Sequence, residues 1–498
     1  MDSSSEAILD GLDEAQLQAA TTLQGPVRIV AGAGAGKTRT ITRRIAYACA
    51  KGEWQPGRAL AVTFSVKAAA EMRSRLAALG VGDSVTASTF HSAALRQLRR
   101  VWSDVCDAPF PHMVGDSNDL ARRAIRRVDN NEFADDQVRA VLAEINWCKI
   151  SLIAPDDYPM VCASVHREPP APLDPGRFAD VYGAYEQEKA ARSQIDFDDI
   201  LLMACHVLDA FDEAAAAIRS SIGWLTVDEY QDVSPLQHHL MRLWLGGNRN
   251  VCVVGDPAQT IYSFAGASSY DLIHFADEFA PVSADISLNN DYRSVPPVVN
   301  YANRVLSASP IRDDYLTLVP VRRSGVRVAR TVYDDDLQEA RGIVARMVHM
   351  TAQGARLSDF AVLTRINAQQ HAVCRALREA GLRYRVRRDS GWHGSAVDEA
   401  SEAREALIES LQARSDSTSV TISTIHACKG MEFRHVFVIG CSEGLIPYGS
   451  PSSSDALEEE RRLMYVAVTR AQDSLYLSYA RRKDETTSMS RTASRFLR

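Results

Sequence analysis

The chain has 498 residues, of which 46% are hydrophobic and 24% are charged, and its formal net charge is −7. This length exceeds what one hydrophobic core supports and predicts roughly two to four domains of an ordinary globular protein. The negative net charge excludes a protein whose whole surface attracts nucleic acid, so any DNA contact has to come from a local basic or aromatic groove.

Targeting signals and metal-binding cysteine motifs are not expected. No run of residues approaches the ~20 apolar residues of a membrane span, and the N-terminus lacks the basic and apolar regions of a signal peptide. We therefore expect a cytoplasmic protein without a membrane partner. The nine cysteines include no Cys-x-x-Cys pair, which favours reduced thiols and argues against a zinc or iron–sulfur module.

The first chemically informative segment follows a short apolar run at residues 26–30. Residues 31–38 read Ala-Gly-Ala-Gly-Ala-Gly-Lys-Thr and lead into a helical pattern. Glycines let backbone N–H groups curl around a phosphate, Lys37 reaches the outer phosphates, and the Thr38 hydroxyl can ligate magnesium. Ala31 stands where the strict pattern has glycine. The residues expected around the nucleotide here are Ala31, Gly32, Ala33, Gly34, Ala35, Gly36, Lys37, Thr38 and Arg39.

Short β-like runs alternate with helical patterns in both halves of the chain, which is typical of parallel sheets wrapped by helices. The predicted strands are residues 59–64, 85–89, 225–227 and 251–254 in the first half, and 360–363, 420–424, 435–439 and 475–479 in the second. Two such sheets predict an α/β fold with two lobes.

Two segments depart from this alternation. From residue 92 to about residue 192 the pattern is helical and is broken only by a proline-rich loop at 169–172, which predicts a helical insertion in the first lobe. Residues 391 to about 418 are polar and rich in Ser, Ala and Glu, which is typical of a linker.

A carboxylate cluster lies in the middle of the chain. The apolar residues 224–227 run directly into Asp228-Glu229-Tyr230-Gln231-Asp232. An apolar strand that ends in Asp-Glu is typical of nucleotide hydrolases, in which these groups hold magnesium and aim a water. Taken with the glycine-rich loop, this run predicts hydrolysis of a nucleoside triphosphate.

Three later segments extend the pattern. Residues 255–262 follow a strand and place the amide of Gln259 where it could sense a phosphate. Residues 288–294 supply Tyr292 and Arg293 side by side. Residues 459–471 form a predicted helix that ends in Thr-Arg, and Arg470 alone would be interpreted as an ordinary helix-terminal arginine.

These segments, in this order and at these separations, resemble the motif set of superfamily 1A helicases of the UvrD/PcrA/Rep family. The resemblance extends from residues 12–16, which are similar to the Q motif, to residues 494–497. It implies two RecA-like lobes with ATP and Mg²⁺ in the cleft between them, moving 3′ to 5′ along single-stranded DNA. The implied domains are the first lobe at 1–91 and 198–275, a helical insertion at 92–197, the second lobe at 276–390 and 419–498, and a short linker at 391–418.

The resemblance also implies roles around ATP. Asp228 would hold magnesium with Thr38, and Glu229 would orient and deprotonate the attacking water. Gln259 would report on the γ-phosphate, while an arginine from each of two second-lobe motifs would act as a finger. The implied catalytic set is Lys37, Asp228, Glu229, Gln259, Arg293 and Arg470. The implied contacts to adenine and ribose are Gln16, Tyr292 and Glu432.

The same resemblance implies a track for the DNA strand. Phe64, in the segment similar to motif Ia, is placed to stack on a base, a contact worth roughly 1 to 3 kcal/mol. Without the flanking motif residues, Phe64 and Phe90 would be interpreted as ordinary core aromatics. The implied DNA contacts are Phe64, Thr89, Phe90, His91, Tyr262, Phe264, Thr424 and His426.

Departures from the family pattern concentrate on the DNA side. Val66 stands where asparagine is common, and Phe264-Ala265 stands where Trp-Arg is common. Ala265 cannot make a charged contact, so we expect a weaker or differently arranged grip. Asn290-Asp291 replaces the usual Gln-Asn. The arginines between residues 375 and 388 could form a DNA groove, although such a run is more often a solvated face.

A further departure is an absence. Fewer than forty residues separate residues 384–386 from residues 424–426, which begin the segment similar to motif V, and this is too few for a domain with its own core. The 2B subdomain of full-length relatives is therefore expected to be missing or vestigial. A nuclease fusion of the RecB-like kind is not expected either, since no extra domain follows the second lobe.

Three functions stay open on the sequence. They are a 3′ to 5′ helicase, a single-strand translocase that clears proteins or needs a partner to unwind, and an accessory subunit whose ATP site is a switch. The intact catalytic set argues against the third. The expected partners are single-stranded DNA, its junctions with duplex, and repair or recombination proteins, with a monomeric motor core.

Overall fold

The computed structural model describes residues 3–82, 84–129, 131–263, 266–387, 418–451, 453–484, 486 and 490–497. Four features singled out in the sequence therefore lie outside the described residues: Phe264, Ala265, Arg388 and all but the last residue of the predicted linker at 391–418. Among the helices of the described part, none is long and apolar enough to cross a bilayer.

The strands follow one another in chain order. They are β1 (Val27–Ala31), β2 (Ala59–Thr63), β3 (Thr86–Thr89), β4 (His112–Met113), β5 (Gln194–Ile195), β6 (Trp224–Val227), β7 (Val251–Gly255), β8 (Ala284–Leu288), β9 (Asn290–Asp291), β10 (Val319–Pro320), β11 (Ala329–Asp335), β12 (Phe360–Thr364), β13 (Tyr384–Arg387), β14 (Val420–Thr424), β15 (Phe433–Val438), β16 (Gly444–Leu445), β17 (Tyr448–Gly449) and β18 (Ala471–Arg482).

The α-helices are numbered in the same way. They are α1 (Ser3–Glu6), α2 (Glu14–Thr21), α3 (Lys37–Ala50), α4 (Val66–Ala78), α5 (Phe90–Val105), α6 (Ser117–Val128), α7 (Asp135–Ile150), α8 (Tyr158–Val165), α9 (Pro175–Ala190), α10 (Asp199–Ala210), α11 (Asp212–Ser220), α12 (Pro235–Leu245), α13 (Tyr270–Ile273), α14 (Phe275–Glu278), α15 (Pro296–Ser307), α16 (Asp336–Ala352), α17 (Gln370–Glu379) and α18 (Ser454–Thr469).

The first lobe is built on a six-stranded parallel sheet in the order β3-β2-β6-β7-β1-β8. Strands β2 and β7 are apolar and buried along their whole length, as expected for parallel strands covered by helices on both faces. The predicted lobe boundary at residue 275 was wrong, because β8 pairs with β1 and completes this sheet. The chain leaves the first lobe only after β8.

The helical insertion has a core of its own. Apolar side chains between residues 120 and 185, contributed by α6, α7, α8 and α9, pack into one cluster. The predicted start of the insertion at residue 92 was wrong, because α5 packs its apolar face into the first lobe through Leu95, Leu98 and Val101. The insertion proper follows α5.

The second lobe repeats the plan with a six-stranded parallel sheet in the order β11-β18-β15-β12-β14-β13. Its helix α18 packs against α15 in a cluster that also takes in Ala33, Ala258 and Ile261 from the first lobe. Two parallel sheets flanked by helices confirm the predicted α/β fold with two RecA-like lobes. The shared cluster holds the lobes in contact along the cleft between them.

Candidate functional site between the two lobes

The glycine-rich loop lies where β1 ends at Ala31 and α3 begins at Lys37. Gly34 and Gly36 have φ values of +75° and +78°, a region that favours glycine. A Cβ on Gly34 would also lie 2.2 Å from Oδ1 of Asp291, so a side chain has no room there. A loop of this shape at the N-terminus of a helix is suited to bind phosphate oxygens.

The two carboxylates that follow β6 lie beside this loop. Thr38 Oγ1 donates to Asp228 Oδ2 at 3.3 Å, and Lys37 Nζ is 3.6 Å from Glu229 Oε2. Glu229 has a φ of +53°, which is uncommon and strained for a residue other than glycine. The local backbone strain thus coincides with the residue predicted to act on water.

The pKa values of the two carboxylates are shifted in opposite directions. Burial and the neighbouring Glu229 raise the pKa of Asp228 to about 7. Burial would also raise the pKa of Glu229, but the ammonium groups of Lys37 and Lys429 lower it to about 2. The oxygens of Thr38 and Asp228 are the donors that Mg²⁺ prefers, and a divalent cation would relieve the repulsion between the carboxylates. The residues therefore fit the ion that the loop motif implies.

Gln231 fixes the orientation of Glu229. Its Nε2 donates to Glu229 Oε2 at 2.6 Å, and its Oε1 accepts from the backbone N–H of Asp256 at 2.9 Å. The side chain is fully buried. Gln231 was part of the run noticed in the sequence, but no role had been assigned to it.

Arg470 reaches the site from the second lobe. It lies at the end of α18, is 2% exposed, and its Nη2 donates to Gln259 Oε1 at 3.2 Å. Gln259 Nε2 in turn donates to Asp256 Oδ2 at 2.8 Å. Burial and the nearby Arg293 lower the pKa of Arg470. The predicted phosphate sensor and one predicted finger are thus in direct contact across the cleft.

A second cross-lobe contact was not predicted. Lys429 Nζ donates to Asp232 Oδ1 and Oδ2 at 2.7 and 2.6 Å and to the carbonyl of Gln259 at 2.5 Å. Burial raises the pKa of Asp232 to about 6, although Lys429 opposes the rise. The only sequence signal was a lysine within the segment similar to motif V, which by itself names no partner.

A third such contact was also missed. Tyr465, on α18, is 1% exposed. Its Oη donates to Asp256 Oδ2 at 3.3 Å and accepts from the backbone N–H of Ala33 at 3.4 Å. A helix of the second lobe therefore touches the glycine-rich loop directly.

Side chains predicted to contact the base lie at the edge of the loop. Gln16 is buried; its Oε1 accepts from the N–H of Asp13 at 3.2 Å and its Nε2 donates to the carbonyl of Ala35 at 2.9 Å. Tyr292 is 38% exposed, and its Oη donates to the carboxylate of Asp13. The adenine contacts stay predictions, and in this arrangement the amide of Gln16 caps α2 and supports the loop.

Arg293, Glu432 and Arg39 lie at the same end of the cleft. The guanidinium of Arg293 pairs with the carboxylate of Glu432, which is about half exposed. Arg39 donates to the carbonyl of Gly11 at 3.0 Å. The roles of Arg293 as a finger and of Glu432 at the ribose stay predictions.

Aromatic rings line the other end of the cleft. Phe64 and Tyr262 are stacked with ring centroids 5.8 Å apart, and Tyr262 Oη donates to the carbonyl of His426 at 3.2 Å across the lobes. His91 stacks on Phe197 with centroids 3.7 Å apart. Sequence reasoning missed Phe197, for which the available signal was an aromatic ring inside the acidic run at 196–199.

Two other residues predicted to contact DNA have local structural roles here. Thr89 Oγ1 accepts from the N–H of Ser92 at 3.2 Å and caps α5, and Thr424 Oγ1 accepts from the N–H of Ala427 at 3.2 Å. These hydrogen bonds do not test whether Thr89 and Thr424 contact DNA, so both DNA contacts stay predictions.

The structure contradicts the predicted DNA contact of Phe90. It is 2% exposed and stacks on Trp244 within the core of the first lobe, with centroids 5.7 Å apart. As the first residue of α5 it points away from its neighbour His91, because successive helical residues are about 100° apart around the axis. Phe90 is the core aromatic that the alternative interpretation described.

The arginines between residues 375 and 388 lie in two different environments. Arg387, at the end of β13, lines the cleft together with Val66. Arg375 instead pairs with Glu379 at 2.9 Å on an exposed helix face. Arg375 therefore fits the interpretation as a solvated face, and a DNA contact of Arg387 stays a prediction.

One continuous cavity of about 780 Å³ joins the two ends of the cleft. Its lining includes residues 32–39 of the loop, both carboxylates after β6, Gln259, Arg293 and Arg470. It also includes the rings of Phe64, His91, Phe197, Tyr262 and His426.

Comparison with known proteins agrees with this geometry. The family model described as UvrD/REP helicase N-terminal domain matches residues 12–280, and the one described as UvrD-like helicase C-terminal domain matches residues 286–391 and 401–482. The ATP-dependent DNA helicase UvrD2 of Mycobacterium tuberculosis is 36% identical over 582 aligned positions, which cover all of this chain and 82% of that protein. The ATP-dependent DNA helicase PcrA of Bacillus subtilis is 31% identical over 77% of this chain and 51% of its own length.

Proposed function

This chain belongs to the UvrD/REP helicase family, and from that premise we propose that it is a motor that hydrolyses ATP in the cleft and moves 3′ to 5′ along single-stranded DNA. The continuous cavity is the observation that carries the proposal. It places the phosphate loop and the ring-lined end of the cleft within one space bounded by both lobes. A nucleotide at one end and a DNA strand at the other would thus share the same moving walls.

Phosphate binding is the first element of the mechanism. ATP binds with its phosphates at residues 32–38, where the loop and the N-terminus of α3 favour anionic oxygens. Lys37 neutralises the outer phosphates. Thr38 and Asp228 would hold Mg²⁺, which would supply positive charge against the phosphates.

Positioning of water is the second element. Glu229, held by its hydrogen bond from Gln231, orients a water for in-line attack on the γ-phosphorus. Phosphoryl transfer depends mainly on such positioning and on neutralising charge on the γ-phosphoryl oxygens. Arg470 and Arg293 supply that charge from the second lobe, and an arginine finger is worth roughly 10³ to 10⁵ in rate.

Coupling to DNA follows from the contacts across the cleft. Lys429 touches Asp232 beside the carboxylates, and Tyr262 touches His426 beside the rings. Opening the cleft would break both contacts together. Loss of the γ-phosphate therefore alters the spacing between Phe64 and His426, which are assigned here to grip successive bases. Phe197, stacked on His91, is added to this set of strand contacts.

A translocase that needs a partner to separate duplex is the second candidate. The 32 residues from 388 to 419 between β13 and β14 are too few for an additional domain with its own core. The alignment with the mycobacterial UvrD2 has 582 positions against 498 residues in this chain, so at least 84 positions of that relative have no counterpart here. Both observations favour a motor without the 2B subdomain of larger relatives. Repair or recombination is the setting we propose for either activity.

ATP hydrolysis measured with and without single-stranded DNA tests the proposal. We expect strong stimulation by DNA, and no hydrolysis in a Lys37→Ala variant. Strand displacement on duplexes with a 3′ or a 5′ tail then separates the candidates. Displacement of the 3′-tailed substrate alone supports the helicase, stimulation without displacement supports the translocase, and hydrolysis indifferent to DNA would contradict both.

A further inference from the structure

Two buried lysines lie where the helical insertion meets the first lobe. Lys149, near the end of α7, and Lys189, near the end of α9, have side chains only 1% and 2% exposed. Such burial is costly for an ammonium group unless it is paired and hydrogen-bonded. Their surroundings meet that need.

Both ammonium groups share the same two carboxylates. Lys149 Nζ is 2.6 Å from Asp196 Oδ2 and 2.6 Å from Asp199 Oδ1. Lys189 Nζ is 2.9 Å from Asp196 Oδ2 and 2.5 Å from Asp199 Oδ2. Glu186, at the rim, lies 3.0 and 2.9 Å from the two nitrogens.

This arrangement is a lysine–carboxylate cluster rather than a metal site. The oxygens of Glu186, Asp196 and Asp199 lie within 4.8 Å of one another, a spacing that a cation could use. The two ammonium groups already supply the positive charge among them. Burial alone would lower the pKa of Lys149, but Asp196 and Asp199 hold it well above its ordinary value.

The two aspartates also shape their own backbone. Asp199 Oδ2 accepts from the N–H of Asp196 at 2.8 Å, and Asp196 Oδ1 accepts from the N–H of Asp199 at 3.1 Å. Each carboxylate thus closes the 196–199 turn from one end. The two lysines anchor this closed turn to α7 and α9, together with Tyr185 of α9, whose Oη donates to Asp196 Oδ2 at 3.3 Å.

The middle of the 196–199 turn faces the ring-lined end of the cleft, where the DNA strand is proposed to bind. Phe197 lines the cavity and stacks on His91, and Asp198 Oδ1 lies 3.8 Å from His91 Nε2. The end of α7 that carries Lys149 therefore supports one part of the proposed DNA track, the turn that holds Phe197.

We propose that Lys149 and Lys189 are positioning residues for single-strand binding, which hold the 196–199 turn so that Phe197 stays in place to stack on a base. This inference rests on the proposed function. It makes the helical insertion a support for the grip of the first lobe, acting through one buried ionic cluster.

The test compares the wild type with variants of the cluster. The measured quantity is the concentration of a thymine homopolymer that gives half-maximal stimulation of ATP hydrolysis. Lys149→Met should raise it about tenfold, the equivalent of ~1.4 kcal/mol. The KM for ATP and the hydrolysis rate without DNA should stay unchanged, which a general loss of structure would not allow. If Lys149→Met does not give folded protein, Asp199→Asn removes one charge from the same cluster with little change of shape.

Glu144→Gln is the matched control. It breaks another ion pair of the insertion, in which Arg167 Nε and Nη2 donate to Glu144 at 2.6 and 2.7 Å, away from the 196–199 turn. We expect it to lower the melting temperature without altering the half-saturating DNA concentration. An equal rise in that concentration for Glu144→Gln and Lys149→Met would overturn the proposal.

A double-mutant cycle tests whether the cluster acts through the ring. If it does, Lys149→Met should add less than twofold to the effect of Phe197→Ala. Full additivity would overturn the positioning role while leaving the motor intact. A wild-type protein that neither binds the homopolymer nor is stimulated by it would instead refute the proposed function, and the positioning role with it.

Discussion

Replacing Lys429 by methionine removes the cation that joins the lobes beside the carboxylates of Asp228 and Glu229. The variant keeps the length of the side chain but leaves the carboxylate of Asp232, whose side chain is 1% exposed, without its ion-pair partner, with only the hydrogen bond from Gln231 Nε2 at 3.1 Å. Breaking a buried ion pair in this way typically costs ~3 to 5 kcal/mol, because the remaining charge has no compensation. The cost falls on the closed cleft alone, since the two residues belong to different lobes.

Protonation of Asp232 limits that cost. Its pKa is already about 6 with Lys429 present, and loss of the cation can only raise it. At pH 8, neutralising a group of pKa 6 takes about 2.7 kcal/mol, at 1.36 kcal/mol for each pH unit. We therefore expect DNA-stimulated hydrolysis by Lys429→Met to fall by up to about 100-fold at pH 8, and the defect to shrink as the pH approaches 6.

Steady-state hydrolysis at saturating ATP and DNA, measured from pH 6 to pH 8 as a ratio to the wild type, checks this expectation. A Lys429→Met, Asp232→Asn double variant carries no buried charge at this position and should show a ratio that does not change with pH. A defect in Lys429→Met that is equally deep at both ends of the range would refute the reasoning, as would full activity at pH 8.

Three further predictions concern the site and the second lobe. Gln231→Met removes the donor that holds Glu229, so kcat should fall roughly tenfold or more with little change in the KM for ATP, measured by steady-state hydrolysis. Gly34→Ala should abolish binding of a fluorescent ATP analogue, because the position combines a φ of +75° with a Cβ 2.2 Å from a carboxylate oxygen; Gly52→Ala, at a φ of +73° with open space around the Cβ, is the control that should bind normally. Burial raises the folded-state pKa of Glu339 to about 7 from an ordinary 4.5, so its favourable contribution is complete below pH 4.5 and is lost as the pH rises through 7. Glu339→Gln should therefore raise the free energy of unfolding by up to about 3 kcal/mol at pH 8 but by less than about 1 kcal/mol at pH 5, as denaturant titrations at the two pH values would show.

Central strands were predictable from the sequence because their burial leaves a continuous apolar run. Strands β2 and β7 are buried at every position and were predicted almost to their ends. Strand β8 is an edge strand in which Asp285 and Ser287 are exposed between buried residues. This alternating five-residue pattern is weaker than a continuous run, and missing it misplaced the boundary between the lobes.

Some site residues were predictable from the sequence and others were not, for a similar reason. Lys37 and Asp228 were found because each belongs to a contiguous segment whose spacing names its chemistry. The partners of Lys429 and Tyr465 are nearly 200 or more residues away in the chain, and such contacts become visible only when the lobes are placed side by side. Phe90 was misassigned because its neighbours face the cleft, whereas its own direction is set by the first turn of α5.

The electrostatics of Glu229 link these cross-lobe contacts to catalysis. With a pKa of about 2 this carboxylate is a poor base, and the cations that lower the value come from both lobes, first Lys37 and then Lys429, with Arg470 adding to them. The phosphates of ATP would engage the same cations and so weaken their hold on Glu229, raising its pKa towards the range in which it can accept a proton. In a loose transition state the water loses its proton only after its bond to phosphorus has formed. Orientation of Glu229 by Gln231 therefore matters first, and acceptance of the proton by Glu229 matters later. Under the proposed function, closure of the cleft around ATP would therefore bring Arg293 and Arg470 to the γ-phosphate and prepare Glu229 in one movement, whereas closure without ATP would leave Glu229 inactive as a base.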